Sequence, residues 1–389
     1  MKKITLVFIV SMLLSILKSD AQISNTLLEN TIELNDSMQE SVGLSIFSNT
    51  FFKNNEYFDN IVQGYTLFGT QLQTELAYII NKNIRIQAGV YARKDFGNDQ
   101  FTKVAPVLSV KLQTKGYSVI MGTLEGNVAH QLSEPLYDYE RLILHPLENG
   151  LQIKVDKKKI WADTWINWEV QEYLNSTYQE QLSVGHSSKT ILYQTKKGLQ
   201  ITWPMQFLFT HTGGQIDLDT TPLKTLSNVA TGILLYYQNP NPKGFIKSVT
   251  SENYITYFNE LSPTKVLNFQ EGRGLYANVN ITSKYDIGVS TGYWSGKNYL
   301  SARGGDLFKS EASIYGQKGF TAPKRSLLFL RLLYQRRIFD ALNVNVRFEP
   351  YFDLNENYLA YSYSVYFTYK KDLSFFNLTN GKRRSNYVR

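Results

Sequence analysis

Residues 72–93 decide the fold, and they read LQTELAYII, then NKN, then IRIQAGVYAR. In the last run Ile86 and Val90 fall on one parity, whereas Arg85 and Arg93 fall on the other. Successive side chains of a strand point to opposite faces, so this alternation predicts a strand with one apolar and one polar face. The intervening Asn-Lys-Asn predicts a hairpin turn. A run of about ten residues is also what a tilted strand needs to cross a bilayer.

The same alternation recurs along most of the chain. Further candidate strands lie at 100–113, 116–126, 149–156, 160–169, 198–211, 228–238, 245–258, 274–283, 286–294, 325–338, 342–349 and 359–369. A soluble sandwich would show shorter strands, of about five or six residues. Lipid forbids an open sheet edge. The sequence therefore predicts an all-β, closed antiparallel transmembrane β-barrel of about 14 strands, within a range of roughly 12 to 16.

The composition agrees with this fold class. The 389 residues include 27 Tyr and 22 Phe, and rings favour strands and membrane interfaces. The chain has no Cys, which excludes disulfides, thiolate catalysis and Cys-ligated zinc. We expect no cofactor and no bound metal.

The N-terminus predicts export from the cytoplasm. Lys2 and Lys3 precede an apolar run over residues 4–17, and Ser19-Asp20-Ala21 forms a small-x-small cleavage site. Residues 1–21 therefore read as a cleaved signal peptide. We expect the mature chain in the outer membrane of a Gram-negative cell, in contact with outer-membrane lipid and lipopolysaccharide, and without a nucleic-acid partner.

The remaining chain divides by charge. Residues 22–59 carry six acidic side chains and Lys53 as their single basic one, and form an acidic segment that either plugs the barrel or extends into the periplasm. The barrel is expected over residues 60–376, followed by a basic tail at 377–389 that contains Lys382-Arg383-Arg384.

Several stretches resemble a porin-like outer-membrane barrel family of Bacteroides-type bacteria, whose function is largely unassigned. They are FFKNNEYF at 51–58, GYTLFG at 64–69, GTLEG at 122–126, EPLYD at 134–138 and LENGLQ at 147–152. The resemblance implies the barrel fold and the membrane location rather than an activity.

A long connection at 127–149 is the most unusual local sequence. A loop of this length inside a compact domain is usually functional. We expect it to fold inward and narrow the pore, with charged side chains setting the local field. The alternative is an outer loop with solvated charges. The candidate constriction residues are His130, Glu134, Asp138, Glu140, Arg141 and Glu148.

Two other sets of side chains fall on the polar parity of predicted strands. The candidate pore-lining and selectivity residues are Arg85, Gln87, Tyr91, Arg93, Arg347 and Glu349. They either select permeants or simply fill the barrel with charge pairs. The second set suits sugar stacking, although Trp at a strand end is also an ordinary interface anchor. Its members are Trp161, Asp163 and Trp165.

These observations favour a passive, porin-like channel for small polar solutes. The alternative is a non-conducting barrel that binds a polysaccharide or protein partner through its loops. No Gly-x-Ser-x-Gly or His-Glu-x-x-His motif occurs, and the adjacent His186 and Ser187 would point to opposite faces of a strand. We therefore expect that the chain is not an enzyme. The oligomeric state stays open.

Overall fold

The computed structural model describes Asn25, Leu28, Asn30 and residues 40–377. Strands dominate this part of the chain. Their bounds are β1 Ser41–Glu56, β2 Tyr65–Asn81, β3 Ile84–Asp95, β4 Lys103–Thr114, β5 Tyr117–Thr123, β6 Asn149–Lys157, β7 Ile160–Val170, β8 Glu180–Gln194, β9 Leu199–Gly213, β10 Lys224–Gln238, β11 Ile246–Glu260, β12 Glu271–Ser283, β13 Ile287–Lys297, β14 Lys324–Arg337, β15 Leu342–Asp353 and β16 Tyr358–Asn377. The connections carry 3₁₀ turns at Asn127–His130, Asp306–Phe308 and Tyr315–Gln317, and one α-helical turn, α1, at Arg141–Leu144.

The strands form one closed antiparallel barrel. Each pairs with its neighbours in sequence, and β1 closes the sheet on β16, with Ser48 opposite Tyr369 and Phe52 opposite Val365. The predicted all-β closed antiparallel barrel is confirmed. The predicted count of about 14 strands is wrong, because the barrel has 16.

The two strands that the sequence did not reveal are β1 and β8. Both carry polar residues on the face that points outward, such as Thr50 in β1 and His186 and Ser188 in β8, so their apolar parity is interrupted. The barrel therefore begins at Ser41 and not at residue 60. The expected signal peptide and the basic tail beyond residue 377 lie outside the described residues.

The outer wall of the barrel is apolar. On β3, Ile86 and Val90 are 36% and 49% exposed, whereas Arg85, on the opposite face, is 3% exposed. Large apolar side chains are exposed on strand after strand in the same way. A monomeric soluble protein rarely shows an apolar surface of this extent, whereas a lipid-facing barrel wall requires one. No helix in the described residues is long and apolar enough to cross a membrane.

The two ends of the barrel differ in the length of their connections. At one end the strands are joined by tight turns such as 82–83, 115–116 and 158–159. The first strand, β1, begins at this end and the last, β16, ends there. At the other end lie the long connections 124–148 and 298–323. In outer-membrane barrels short turns face the periplasm and long loops face the exterior. We therefore refer to a periplasmic end and an outer end.

Both long connections fold into the lumen and meet there. We name residues 124–148 the first inner loop and residues 298–323 the second inner loop. The Tyr299 hydroxyl donates to the Pro135 carbonyl at 3.0 Å, and the Asp138 amide donates to the Arg303 carbonyl at 2.8 Å. Around this junction lies an apolar cluster that joins Leu136 of the first inner loop to Trp294 of the wall. The lumen is therefore largely filled by protein.

Candidate functional site

The structure brings the predicted constriction residues together inside the barrel, where they tie the first inner loop to the wall. His130 is fully buried, with Nδ1 2.9 Å from Asp163 Oδ2 and Nε2 2.8 Å from Glu148 Oε2. Its ring stacks on Trp165 with the centroids 3.5 Å apart. Tyr137 also donates a hydrogen bond to Glu148. One imidazole thus joins the start and the end of this loop to β7, and we call His130, Glu148 and Asp163 the clamp.

The charges of this clamp follow from its surroundings. Burial disfavours the imidazolium, but the carboxylates of Glu148 and Asp163 outweigh burial and raise the pKa of His130 to about 9. Burial would likewise raise the pKa of Glu148, yet His130 and Tyr137 together lower it to about 2. His130 is therefore a cation at neutral pH, and its charge holds the two carboxylates of Glu148 and Asp163 together.

The remaining members of the predicted constriction set lie farther along the same loop, and two of them tie it to the barrel wall. Glu134 accepts two hydrogen bonds from the Arg331 guanidinium, each of 2.5 Å. Glu140 forms an ion pair with Lys53 of β1. Burial and the neighbouring Glu140 raise the pKa of Asp138 to about 7. Arg141 lies 5.1 Å from the centre of the Tyr137 ring. Their role in a constriction stays a prediction.

The predicted pore-lining residues all face the lumen and are buried. Three of them are engaged with neighbouring protein groups: Gln87 donates to Glu75 at 2.8 Å, Tyr91 to Gln71 at 2.9 Å, and Arg93 to the Ile143 carbonyl at 2.6 Å. The other three also contact protein groups. Arg85 lies 3.9 Å from Asp372. Arg347 donates to Asn345 at 3.0 Å and to Asn25 at 2.6 Å, and Glu349 accepts from Tyr139 at 2.9 Å and lies 3.4 Å from Arg331. Their role in selectivity stays a prediction.

The predicted sugar-contact residues also point inward from β7. Asp163 and Trp165 are buried beneath His130, whose imidazole contacts the Asp163 carboxylate and covers one face of the Trp165 ring. Trp161 is half-buried, with Lys189 Nζ 5.9 Å from its ring centre. Sugar contact therefore stays a prediction for Trp161, whereas Asp163 and Trp165 are closed to a ligand in this structure.

A feature that the sequence did not reveal lies on the outer wall of the barrel. His211 of β9 and Thr225 of β10 are cross-strand partners, and His211 Nδ1 lies 2.8 Å from Thr225 Oγ1. His186 of β8 and Thr164 of β7 form a second pair with the same 2.8 Å separation. Polar pairs on a lipid-facing surface are costly, and side chains of this kind are functional candidates by default.

The two pairs differ in their depth in the membrane. His211 lies two residues from the outer end of β9, which ends at Gly213, whereas His186 and Thr164 lie near the middle of their strands. The imidazole of His211 lies along Gly213, where an added Cβ would stand 3.0 Å from Nε2 and 2.8 Å from Leu223 Cβ. The glycine thus leaves room for the ring at the outer rim.

This pair has the geometry of a base next to a hydroxyl. A histidine within hydrogen-bond distance of a hydroxyl can accept its proton and raise its nucleophilicity. The signal in the sequence was a histidine on the apolar parity of a strand, since His211 shares its face with Phe207 and Phe209. Its partner could not be inferred, because the register of β9 against β10 was unknown.

Comparison with known proteins gives a family and a fold. The family model described as Lipid A 3'-O-deacylase-type matches residues 34–378. The outer membrane protein OprD of Pseudomonas aeruginosa has a similar structure, with a TM-score of 0.50 and 10% identity, over 88% of this chain and 98% of that one. The outer membrane protein OmpT of Vibrio cholerae gives a TM-score of 0.50 and 7% identity, over 85% and 100%. No curated protein matches the sequence.

These findings correct one expectation and support another in part. The prediction that the chain is not an enzyme is wrong, because the matching family carries the name of a deacylase. The predicted resemblance to outer-membrane barrels is confirmed at the level of the fold, and the matching family is the Lipid A 3'-O-deacylase-type family. The outer-membrane barrel fold implies an outer-membrane location.

Proposed function

The chain belongs to the Lipid A 3'-O-deacylase-type family, and from this premise we propose that it is an outer-membrane hydrolase that releases ester-linked acyl chains from lipid A. The candidate site is the pair His211 and Thr225 on the outer wall. The observation that carries this assignment is a base-to-hydroxyl contact of 2.8 Å on the lipid-facing surface near the outer rim.

The position of the pair fits this substrate. Lipid A anchors lipopolysaccharide in the outer leaflet, and its acyl esters lie where the fatty chains meet the sugar headgroup. His211 lies two residues from the strand end, about 7 Å along the strand, and is therefore near the outer boundary of the apolar wall. Among the His–Thr pairs described above, the one formed by His186 lies too deep to meet such an ester.

The chemistry follows the ordinary course of acyl transfer. His211 Nδ1 takes the hydroxyl proton as Thr225 Oγ attacks the ester carbonyl. The imidazolium gives that proton to the departing sugar oxygen, which leaves as a hydroxyl. Water, deprotonated by the same imidazole, then attacks the acyl-threonine, and the imidazolium returns a proton to Thr225 Oγ1 as the fatty acid leaves. Each step needs only the two side chains and one water molecule.

The test is mass spectrometry of lipid A from Escherichia coli cells that produce this chain. We expect lipid A that has lost one ester-linked acyl chain. His211→Gln and Thr225→Val should each reduce this product by about 10²–10⁴-fold, the usual contribution of a positioned acid or base. Folding of every variant is checked by heat-modifiable migration on gels.

The matched control is His186→Gln, which breaks the deeper pair of the same geometry and should leave the product unchanged. An unmodified lipid A profile with the folded protein present would contradict the proposal. An equal loss of deacylated lipid A in His186→Gln and His211→Gln would show that the pair of His211 and Thr225 is not the site.

A channel for small polar solutes is the second candidate. What supports it is a polar cleft at the outer end, lined by groups that include Lys53, Glu134, Arg331 and Glu349. Planar-bilayer recordings of the purified protein test it, because stable unitary steps are expected of a channel. Their absence would leave the alternative of a non-conducting barrel that binds a partner through its loops.

A further inference from the structure

The two ends of the barrel carry opposite charge. Within residues 40–377, the seven turns at the periplasmic end contain eight basic side chains and two acidic ones. The seven connections at the outer end other than the first inner loop contain four basic and eight acidic side chains. All eight basic residues of the periplasmic turns are lysines, and every one of them is exposed. Positive charge is therefore concentrated at the periplasmic end.

This charge is densest in two neighbouring turns. Lys158 and Lys159 join β6 to β7 directly after Lys157, and Lys196 and Lys197 lie between β8 and β9. Strands β7 and β8 pair side by side, so the two turns are neighbours on the rim. In residues 156–159 and 195–198 the five lysines face a single acidic residue, at position 156. Like charges this close repel one another, and an anion beside them relieves that repulsion.

Aromatic rings place lysines of this rim at the edge of the lipid-facing wall. Lys157 Nζ lies 3.9 Å from the centre of the Tyr117 ring, and Lys284 Nζ lies 5.1 Å from the centre of the Tyr285 ring. These two tyrosines are 46% and 57% exposed. Outer-membrane barrels carry girdles of aromatic side chains at the membrane–water interfaces. A lysine beside such a ring keeps its stem on the apolar surface and its ammonium among the lipid headgroups.

We propose that the periplasmic turns bind the phosphate groups of anionic phospholipids in the periplasmic leaflet of the outer membrane. The lysine ammonium pairs with the phosphodiester of a lipid such as phosphatidylglycerol, which has no amine of its own. A zwitterionic lipid is a weaker partner, because its headgroup already carries a cation. This surface is independent of the hydrolase site at the outer rim and of the channel candidate.

The test measures which phospholipid surrounds the purified full-length barrel. The protein is reconstituted in vesicles of phosphatidylglycerol and phosphatidylcholine, and spin-labelled forms of both lipids report their relative association constants by electron spin resonance. We expect phosphatidylglycerol to be favoured about fivefold at low salt, which corresponds to the ~1 kcal/mol of one lysine near an anionic surface. The preference should fall in about 1 M salt, where the Debye length is about 3 Å.

Two variants with the same change of charge locate the effect. The periplasmic variant combines four substitutions in the two neighbouring turns: Lys158→Gln, Lys159→Gln, Lys196→Gln and Lys197→Gln. The matched control replaces four exposed lysines of the outer end: Lys103→Gln, Lys265→Gln, Lys318→Gln and Lys324→Gln. We expect the periplasmic variant to lose about half of the preference and the control to keep it. Heat-modifiable migration on gels checks that both variants fold.

Each outcome decides the proposal. A loss of preference confined to the periplasmic variant supports it. No preference in the unmodified protein, or the same loss in both variants, overturns it. Sedimentation of the unmodified barrel with isolated peptidoglycan, lost in the periplasmic variant while both proteins select lipids alike, would assign the turns to an anionic wall polymer and also overturn it.

Discussion

Replacement of His130 by glutamine tests how the first inner loop is held in the lumen. The imidazole contacts Glu148 at 2.8 Å and Asp163 at 2.9 Å, and all three side chains are at most 1% exposed. Glutamine is uncharged, so His130→Gln leaves two buried carboxylates without their cation. Removal of one partner of a buried ion pair costs about 3–5 kcal/mol, which lowers the ratio of folded to unfolded protein by about 10²–10⁴-fold.

The assay is denaturant unfolding of the detergent-solubilised barrel, followed by heat-modifiable migration on gels. His145→Gln is the matched control, because His145 is an exposed residue of the same loop. A surface substitution of this kind changes the free energy of unfolding by about 0.5 kcal/mol or less. If His130→Gln is no more destabilising than His145→Gln, the clamp does not hold the loop.

The same clamp gives stability a defined pH dependence. The pKa of His130 is raised to about 9, from an ordinary value of about 6.5. The contribution of His130 to the free energy of unfolding is therefore complete below about pH 6.5 and is lost as pH rises through about 9. The pKa of Glu148 is lowered to about 2, so its contribution is present above about pH 4.3 and is lost as pH falls through about 2. We expect a plateau between roughly pH 4.5 and 6.5, and His130→Gln should abolish the decline on its alkaline side.

Three further predictions address other parts of the molecule. Gly213→Val should reduce deacylation without unfolding the barrel, because a Cβ there stands 3.0 Å from Nε2 of His211 and displaces the ring; mass spectrometry of lipid A measures the loss, and full activity would contradict it. Arg331→Met should destabilise the barrel by about 3–5 kcal/mol by leaving Glu134 unpaired, and Glu134→Gln in the same chain should restore part of that loss in denaturant unfolding. If the protein conducts, Arg93→Glu should shift the reversal potential toward cations in a salt gradient, and an unchanged potential would exclude Arg93 from selectivity.

The barrel was predictable where the alternation of side chains was strict. Residues 72–93 alternate cleanly, and β2 and β3 form where they indicate. β8 was missed because His186, Ser188 and Thr190 follow Leu182 and Val184 on its outward face, so the apolar parity is interrupted. The alternation of apolar and polar side chains reveals a lipid-facing strand through its apolar face, and a strand whose outward face is polar does not show it.

The sites were less predictable than the fold, because their geometry depends on register and on loop conformation. The charged loop was predicted from its length, but its attachment through His130 and Asp163 joins residues of separate elements. The pair of His211 and Thr225 likewise spans a hairpin connection whose length the sequence did not define. Chemistry that arises from cross-strand pairing becomes visible only when the register is known.

The proposed hydrolysis of a lipid A ester by the outer-wall pair is tested by the release of fatty acid from purified lipid A. The purified barrel in detergent is compared with Thr225→Val. We expect the unmodified protein to release one fatty acid per lipid A molecule and the variant to release almost none. No release by the folded protein, or the same release by both, would contradict it.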